Sequence, residues 1–492
     1  DLTNFTLLLQ KMRELLDAAG NTDNKQYLLS IASAANNNYF KNYEWTKIHE
    51  VLDFINMMTY DFHGTWDQVT GFNAPLAIGQ DDPVKTDYVA NLAVSNAMTL
   101  LVAEGVPEAK ILMGVPFYGI GWGGVGSTNN GLYQAASGKA SSGTWENGHY
   151  DYSDLLANYE SGSSGYTKHY HAECEVPYLY NPATGTWISY EDPQSIEKKM
   201  TWLTSYSGSQ FNGAMIWDLS NDKNAVLLAK MSEALHVECG SSSSTGDSTT
   251  GTGSTDSTTD SGSTDQTSGS TDTSTDSGTT DQTSGSTDSS TDSSTNSGTT
   301  DQTSGSGGDT SGSTDQTTGS CPATSAQQRF KYNIVAYYTS WSIYARSFMV
   351  TDIDVTKVDI INYAFANIVN GEIALGDAWA DVQFGYPGDS GGANEKGNFN
   401  QLNKLKQANP HLRTMISVGG ATWSSAFSAL VKTEASRLKF AQSCVTFMKQ
   451  WGFDGVDVDW EFPVEGGGGP HDPADLTNFT LLLQKMRELL DA

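Results

Sequence analysis

Basic residues are scarce in this chain. It carries 27 Lys and Arg against 57 Asp and Glu, a formal net charge of −30 over 492 residues. That balance excludes nucleic acid and an anionic membrane surface as partners, since neither attracts an acidic protein. Cysteine is scarcer still: Cys174, Cys239, Cys321 and Cys444 show none of the close spacing that a zinc site needs. No apolar run approaches the roughly eighteen residues of a membrane span. No signal peptide opens the chain, but its first residue is Asp1 rather than Met, so the absence leaves export open.

The shortage of cations is complete between residues 240 and 320, which contain no Lys, no Arg and no aromatic residue. A stretch reading GSSSSTGDSTTGTGSTD and onward cannot bury enough apolar surface to offset its ordering entropy. It reads as a disordered linker, extended by its own negative charge and open to O-glycosylation. Cys239 and Cys321 bracket it, and a disulfide between them or a reduced thiol at each both stay open.

What is present is a long repeat. DLTNFTLLLQKMRELLDA stands at 1–18 and again, without a mismatch, at 475–492. Phe5, Leu8, Leu9, Met12, Leu15 and Leu16 recur at three-to-four spacing, so the segment is expected to be an amphipathic helix. The chain is expected to be a piece of a tandem array or a circular permutant, with the natural unit running from about 321 through the helix and resuming at 19–239. One copy of the helix is then expected to be left unpacked. A linker of this length spans on the order of 50 Å, enough to join the ends of one closed unit. Asn4-Phe5-Thr6 is a formal N-glycosylation acceptor, on a helix that gives it little reason to be used.

In that order, eight apolar runs alternate with helical segments: 332–341, 358–368, 413–420 and 453–462, then 27–33, 52–62, 111–119 and 211–219. Near-continuous apolar strands with intervening helices predict a (β/α)8 TIM barrel, split in chain order around the linker. The interval between the seventh and eighth strands, about 123–198, is too long for a loop. Its VPYLYN and TWISYED segments predict a small α+β insertion.

The fourth of these runs, WGFDGVDVDWEFP at 451–463, holds Asp454, Asp457, Asp459 and Glu461. Strand alternation puts Asp457, Asp459 and Glu461 on one face and Val456, Val458 and Trp460 on the other. The acids therefore face the barrel interior, with Glu461 nearest the C-terminal mouth where barrel sites sit. Crowded carboxyls cannot all ionise, so one keeps its proton, as a general acid must. Interleaved valines argue against a solvated strand face, and the D-x-D-x-D-G spacing of a calcium loop is missing. Asp454 is off this register and reads as a structural residue.

The run resembles the DGxDxDWE signature of family 18 glycoside hydrolases, the chitinases. SVGG (417–420) is similar to the family's SxGG, MTYDF (58–62) to its MxYD, and Trp217 in AMIWDL to its eighth-strand tryptophan. YTSWSIYAR (338–346) and WENGHYDY (145–152) resemble the bacterial-type members that carry the insertion. The resemblance implies a secreted chitinase acting on chitin or chito-oligosaccharides, with no cofactor or metal. Glu461 would be the proton donor, Asp459 would orient the substrate's acetamido group, and Asp457 would tune Asp459. Tyr60 and Asp61 would contact the same sugar, and Trp217 would floor it. Tyr337, Phe365, Ser417, Trp423, Trp66 and Tyr118 complete the implied substrate-facing set, with Trp122, Trp145 and Trp341 as further platform candidates. Ser417 has the alternative of satisfying a buried Asp457, and Tyr60 and Trp217 that of plain core aromatics. MGVPFYGIGW departs from the family in having Ile120 where many relatives carry Arg. Alternatives are an endo-β-N-acetylglucosaminidase acting on N-glycans and a non-catalytic chitin-binding lectin on the same fold.

Overall fold

The computed structural model of the protein describes residues 25–83, 92–162, 164–236, 330–392, 395–463 and 475–490. The linker, Cys239, Cys321, Asn4 and the first copy of the duplicated helix lie outside these. In chain order the strands are β1 (Leu28–Ala34), β2 (Phe54–Met58), β3 (Ile111–Pro116), β4 (Tyr118–Gly123), β5 (Gly138–Lys139), β6 (His149–Asp151), β7 (Thr167–His171), β8 (Val176–Asn181), β9 (Thr186–Ser189), β10 (Gly213–Trp217), β11 (Asn333–Thr339), β12 (Ile360–Val369), β13 (Glu372–Ala374), β14 (Arg413–Gly419) and β15 (Gly455–Asp459).

Eight of them form a closed parallel barrel in the order β11-β10-β3-β2-β1-β15-β14-β12, with β12 pairing back to β11. Each of the eight expected runs contains one strand of this barrel. The two stretches of chain are stitched at two seams: β10 pairs with β11, and β1 pairs with β15. Ile31, Ile55, Val115, Ile216, Ile334, Ile361, Ile416 and Val458 are fully buried, as strands covered on both faces require.

Helices cover the outside, and their ends carry their own punctuation. Thr433 caps Glu434–Trp451 in a reciprocal pair with Ser436, and Gly452 ends the helix in the left-handed region. Pro193–Ser205 opens on Asp192, which pairs with Ser195 in the same way. The second copy of the duplicated segment is the helix Asp475–Leu490. It buries Phe479, Leu482, Leu483 and Met486 against β1 and the helices Glu434–Trp451 and Trp45–Val51.

The extra sheet differs from expectation in extent and make-up. It starts at Tyr118 rather than near 123, because the run ILMGVPFYG is two strands, β3 and β4, separated only by Phe117. It is antiparallel, ordered β5-β4-β9-β8-β7 with β6 also on β4, and Ser189 ends its last strand. Its helical part is short, Tyr152–Asp154 running into Leu155–Tyr159.

Candidate active site

The interior of the barrel is polar at one level. Asp457 is fully buried, and its carboxylate accepts from four side chains. Ser30 Oγ and Asn56 Nδ2 donate to Oδ1 at 2.6 and 3.2 Å, while Tyr337 Oη and Ser417 Oγ donate to Oδ2, each at 2.7 Å. Ser30 and Ser417 stand level with Asp457 on its two neighbouring strands, so sheet register alone delivers these donors. Burial raises the carboxyl's pKa, and the four donors pull it back.

One step toward the mouth, Asp459 is also buried, and its Oδ1 has no hydrogen-bond partner. Burial and then the charges of Glu461 and Asp457 hold its pKa well above the usual carboxylate range. Glu461 lies past the strand's end, half-buried. Burial, followed by the Asp61 charge, raises it to about 7, against a hydrogen bond from the Ala421 N–H. Ser424 fixes the strand's exit: its Oγ accepts from Glu461 N at 2.9 Å and donates to the carbonyls of Asp459 (3.1 Å) and Gly420 (2.8 Å).

The SVGG segment has a steric reason. Gly419 takes φ +110°, and a Cβ there would lie 2.3 Å from the Asp459 carbonyl oxygen. At Gly420, with φ +72°, a Cβ would lie 2.7 Å from the Phe365 ring. Backbone and aromatic wall can approach the acids only because side chains are absent.

Tyr60 is buried beside the acids, with its Oη 3.9 Å from Met215 Sδ, and burial followed by the charge of Asp61 pushes its pKa well up. Asp61 stands exposed at the mouth, where its Oδ1 accepts from Tyr118 Oη at 2.5 Å. Tyr118 belongs to β4 of the extra sheet and stacks on His149, ring centroids 4.6 Å apart. Ile120, two residues on, is buried within that sheet. Trp217 stacks on Phe365 at 5.7 Å, and Phe365 meets Trp341 at 6.3 Å, giving a continuous aromatic wall.

The expected site residues thus separate into levels. Ser417 and Tyr337 lie beneath the acids as donors to Asp457, out of reach of any ligand. Trp122 is no platform: it is fully buried in the extra sheet, edge-on to Trp187. Trp423 is half-buried against Gly376. Trp66 is 64% exposed and lines a cavity of about 270 Å³ with Phe62, His63, Thr70 and Tyr133. Asp454 binds the Thr414 N–H (2.9 Å) and Lys406 Nζ (2.8 Å), a structural residue as its register implied.

Ser30 and Asn56 were not anticipated. Their signal was a lone polar residue at an inward position of an apolar strand. Arg346 and Asp151 were missed as well. The guanidinium grips Asp151 of β6 through Nη2 (3.2 Å) and Nε (3.3 Å), and Trp145 Nε1 donates to the same carboxylate at 2.6 Å. This clasp ties the extra sheet to the loop after β11. Among the described residues no cluster of three or more His, Cys, Asp or Glu could hold a metal ion, and no helix is long and apolar enough to cross a membrane.

A column of buried carboxyls rising to the C-terminal mouth of a parallel barrel is the architecture of a barrel enzyme. The family model for glycosyl hydrolases family 18 matches residues 1–222 and 333–492, and the chain belongs to that family. Chitinase A1 of Niallia circulans is 45% identical over 240 residues, 47% of this chain and 33% of that protein. Endochitinase 1 of Metarhizium anisopliae is 46% identical over 160 residues, 32% of this chain and 36% of that protein. Among solved structures, chitinase ChiA74 from Bacillus thuringiensis is 40% identical, covering 47% of this chain and 39% of its own, with a TM-score of 0.41. The chain spans about a third of the length of the curated relatives it matches.

Proposed function

We propose that the protein is an exported chitinase, hydrolysing β-1,4 links between N-acetylglucosamine units with retention at C1. The observation that carries this is the graded acid column: Asp457 saturated with donors, Asp459 buried and unpartnered at Oδ1, and Glu461 raised to about 7 at the mouth. Glu461 gives its proton to the glycosidic oxygen as the C1–O bond breaks. The substrate's own acetamido carbonyl oxygen attacks C1, an exception to the two-carboxylate scheme. The unpartnered Oδ1 of Asp459 takes the acetamido N–H and stabilises the oxazolinium-like cation. Asp457 holds Asp459 in place from below. Water then opens the cation, with the Glu461 carboxylate accepting its proton. Tyr60 and Asp61 contact the reacting sugar, and Trp217 with Phe365 presents apolar rings to its C–H face. The barrel is read as one unit assembled from the two stretches flanking the linker.

Glu461→Gln tests this. Hydrolysis of a chitin oligomer should fall at least about a hundredfold, while oligomer binding survives. Near-normal hydrolysis by this variant would remove Glu461 as the acid. A lectin would bind without turnover in the unmodified protein.

A further inference from the structure

Residues 1–18 and 475–492 are identical, and one copy fills a defined slot on the barrel. In that slot Phe479 sits edge-on to Trp460, ring centroids 5.0 Å apart, and 6.1 Å from Tyr43. Leu482 and Leu483 are fully buried, and Met486 nearly so. Arg487 Nη1 binds Asp53 Oδ2 at 2.7 Å, and its Nη2 reaches the Tyr27 carbonyl.

We infer that this slot has two interchangeable occupants in one chain: residues 475–490, and residues 1–16 as their replacement in cis. Every side chain the slot reads is duplicated: Phe5, Leu8, Leu9, Met12 and Arg13 stand where Phe479, Leu482, Leu483, Met486 and Arg487 stand in the other copy. The slot also lies where both tethers lead. It spans the seam between the parallel neighbours β15 and β1, the position of a crossover helix. From the β15 side the tether is the chain after Asp459. From the β1 side, Arg487 shows that the last turn of the bound helix lies beside Tyr27, and residues 17–26 precede Tyr27 in sequence. Ten residues reach up to about 35 Å, far more than a side-chain contact requires. With identical contacts, the two occupied states differ only in tether, so neither is strongly favoured over the other.

Occupancy is read in the full chain by two cysteine pairs. Arg487→Cys with Asp53→Cys, and separately Arg13→Cys with Asp53→Cys, are treated with a short bismaleimide. The expected result is an intramolecular bridge in both, at monomer mass. A bridge in the first pair alone, or a bridge at dimer mass in the second, overturns the inference. Stability gives a second reading. Leu482→Asp with Leu483→Asp should keep one cooperative thermal transition, and adding Leu8→Asp with Leu9→Asp should abolish it. Loss of the transition in the first double variant alone would mean that residues 1–16 cannot replace the other copy.

Discussion

Tyr337 shows how much of the site lies below the reach of a ligand. Its hydroxyl is one of four donors to Asp457, and Tyr337→Phe leaves a buried carboxyl short of one partner. The expected cost is about 1–3 kcal/mol of stability, measured by urea unfolding, together with a fall in kcat at little-changed KM. A fall in KM-dependent binding alone would instead place Tyr337 against the substrate. Glu461 makes the second prediction at this scale. In the proposed mechanism its proton is the one transferred, and burial raises its pKa to about 7, so kcat should fall about tenfold per unit as pH rises beyond 7. A rate still flat at pH 9 would assign the proton to another group. The acids themselves were legible in the sequence, because strand alternation fixes which carboxyls share a face. Their donors were not: Ser30 and Asn56 become meaningful only when register sets them level with, or across from, Asp457. Exposure was equally hidden, and Trp122 and Trp341 look alike until one is buried in a sheet and the other stands at the mouth.

At the scale of elements, the turn after β14 is held by absences. Gly419→Ala would drive a methyl to 2.3 Å from the Asp459 carbonyl in a left-handed backbone. The change should cost more than about 2 kcal/mol and displace the end of β15, which carries the proposed acids, so stability and kcat fall together. Gly126→Ala is the control: no atom lies within 4 Å of its added Cβ, and the change should stay within about 0.5 kcal/mol. Equal melting temperatures for the two variants would dismiss the steric account. The eight barrel strands were readable for a simple reason: strands covered on both faces become continuous apolar runs. The extra sheet was harder, since β3 and β4 form one apolar run and nothing in hydrophobicity marks the break at Phe117. Its attachment through Arg346 and Asp151 joins residues almost two hundred positions apart, a distance over which spacing carries no signal.

Across the whole molecule, several buried acids titrate in the same direction. Burial lifts Glu461 to about 7, Asp381 to about 7 and Asp222 to about 6, each against hydrogen bonds that lower it. Asp381 is held by Tyr363 Oη, and Asp222 by the N–H groups that open the helix Val226–Leu235. A carboxyl with a raised folded pKa is protonated in both states below its unfolded value, near 4, so its stability contribution is complete there. Between about pH 4 and 7 only the unfolded state gives up the proton, and stability falls as pH rises. Above about 7 both states are ionised and the loss is complete. Asp354 and Asp389 oppose this only at lower pH: burial raises them, but Lys357 and Lys404 bring both below the ordinary value, so their support disappears under about pH 4. The formal charge of −30 at pH 7 adds self-repulsion that acid also relieves. The melting temperature should therefore climb from pH 8 toward pH 5 and drop again below about 4. Stability that rose steadily from pH 5 to 8 would mean that Asp381, Asp222 and Glu461 are not the buried, proton-retaining acids on which both the fold and the proposed chemistry depend.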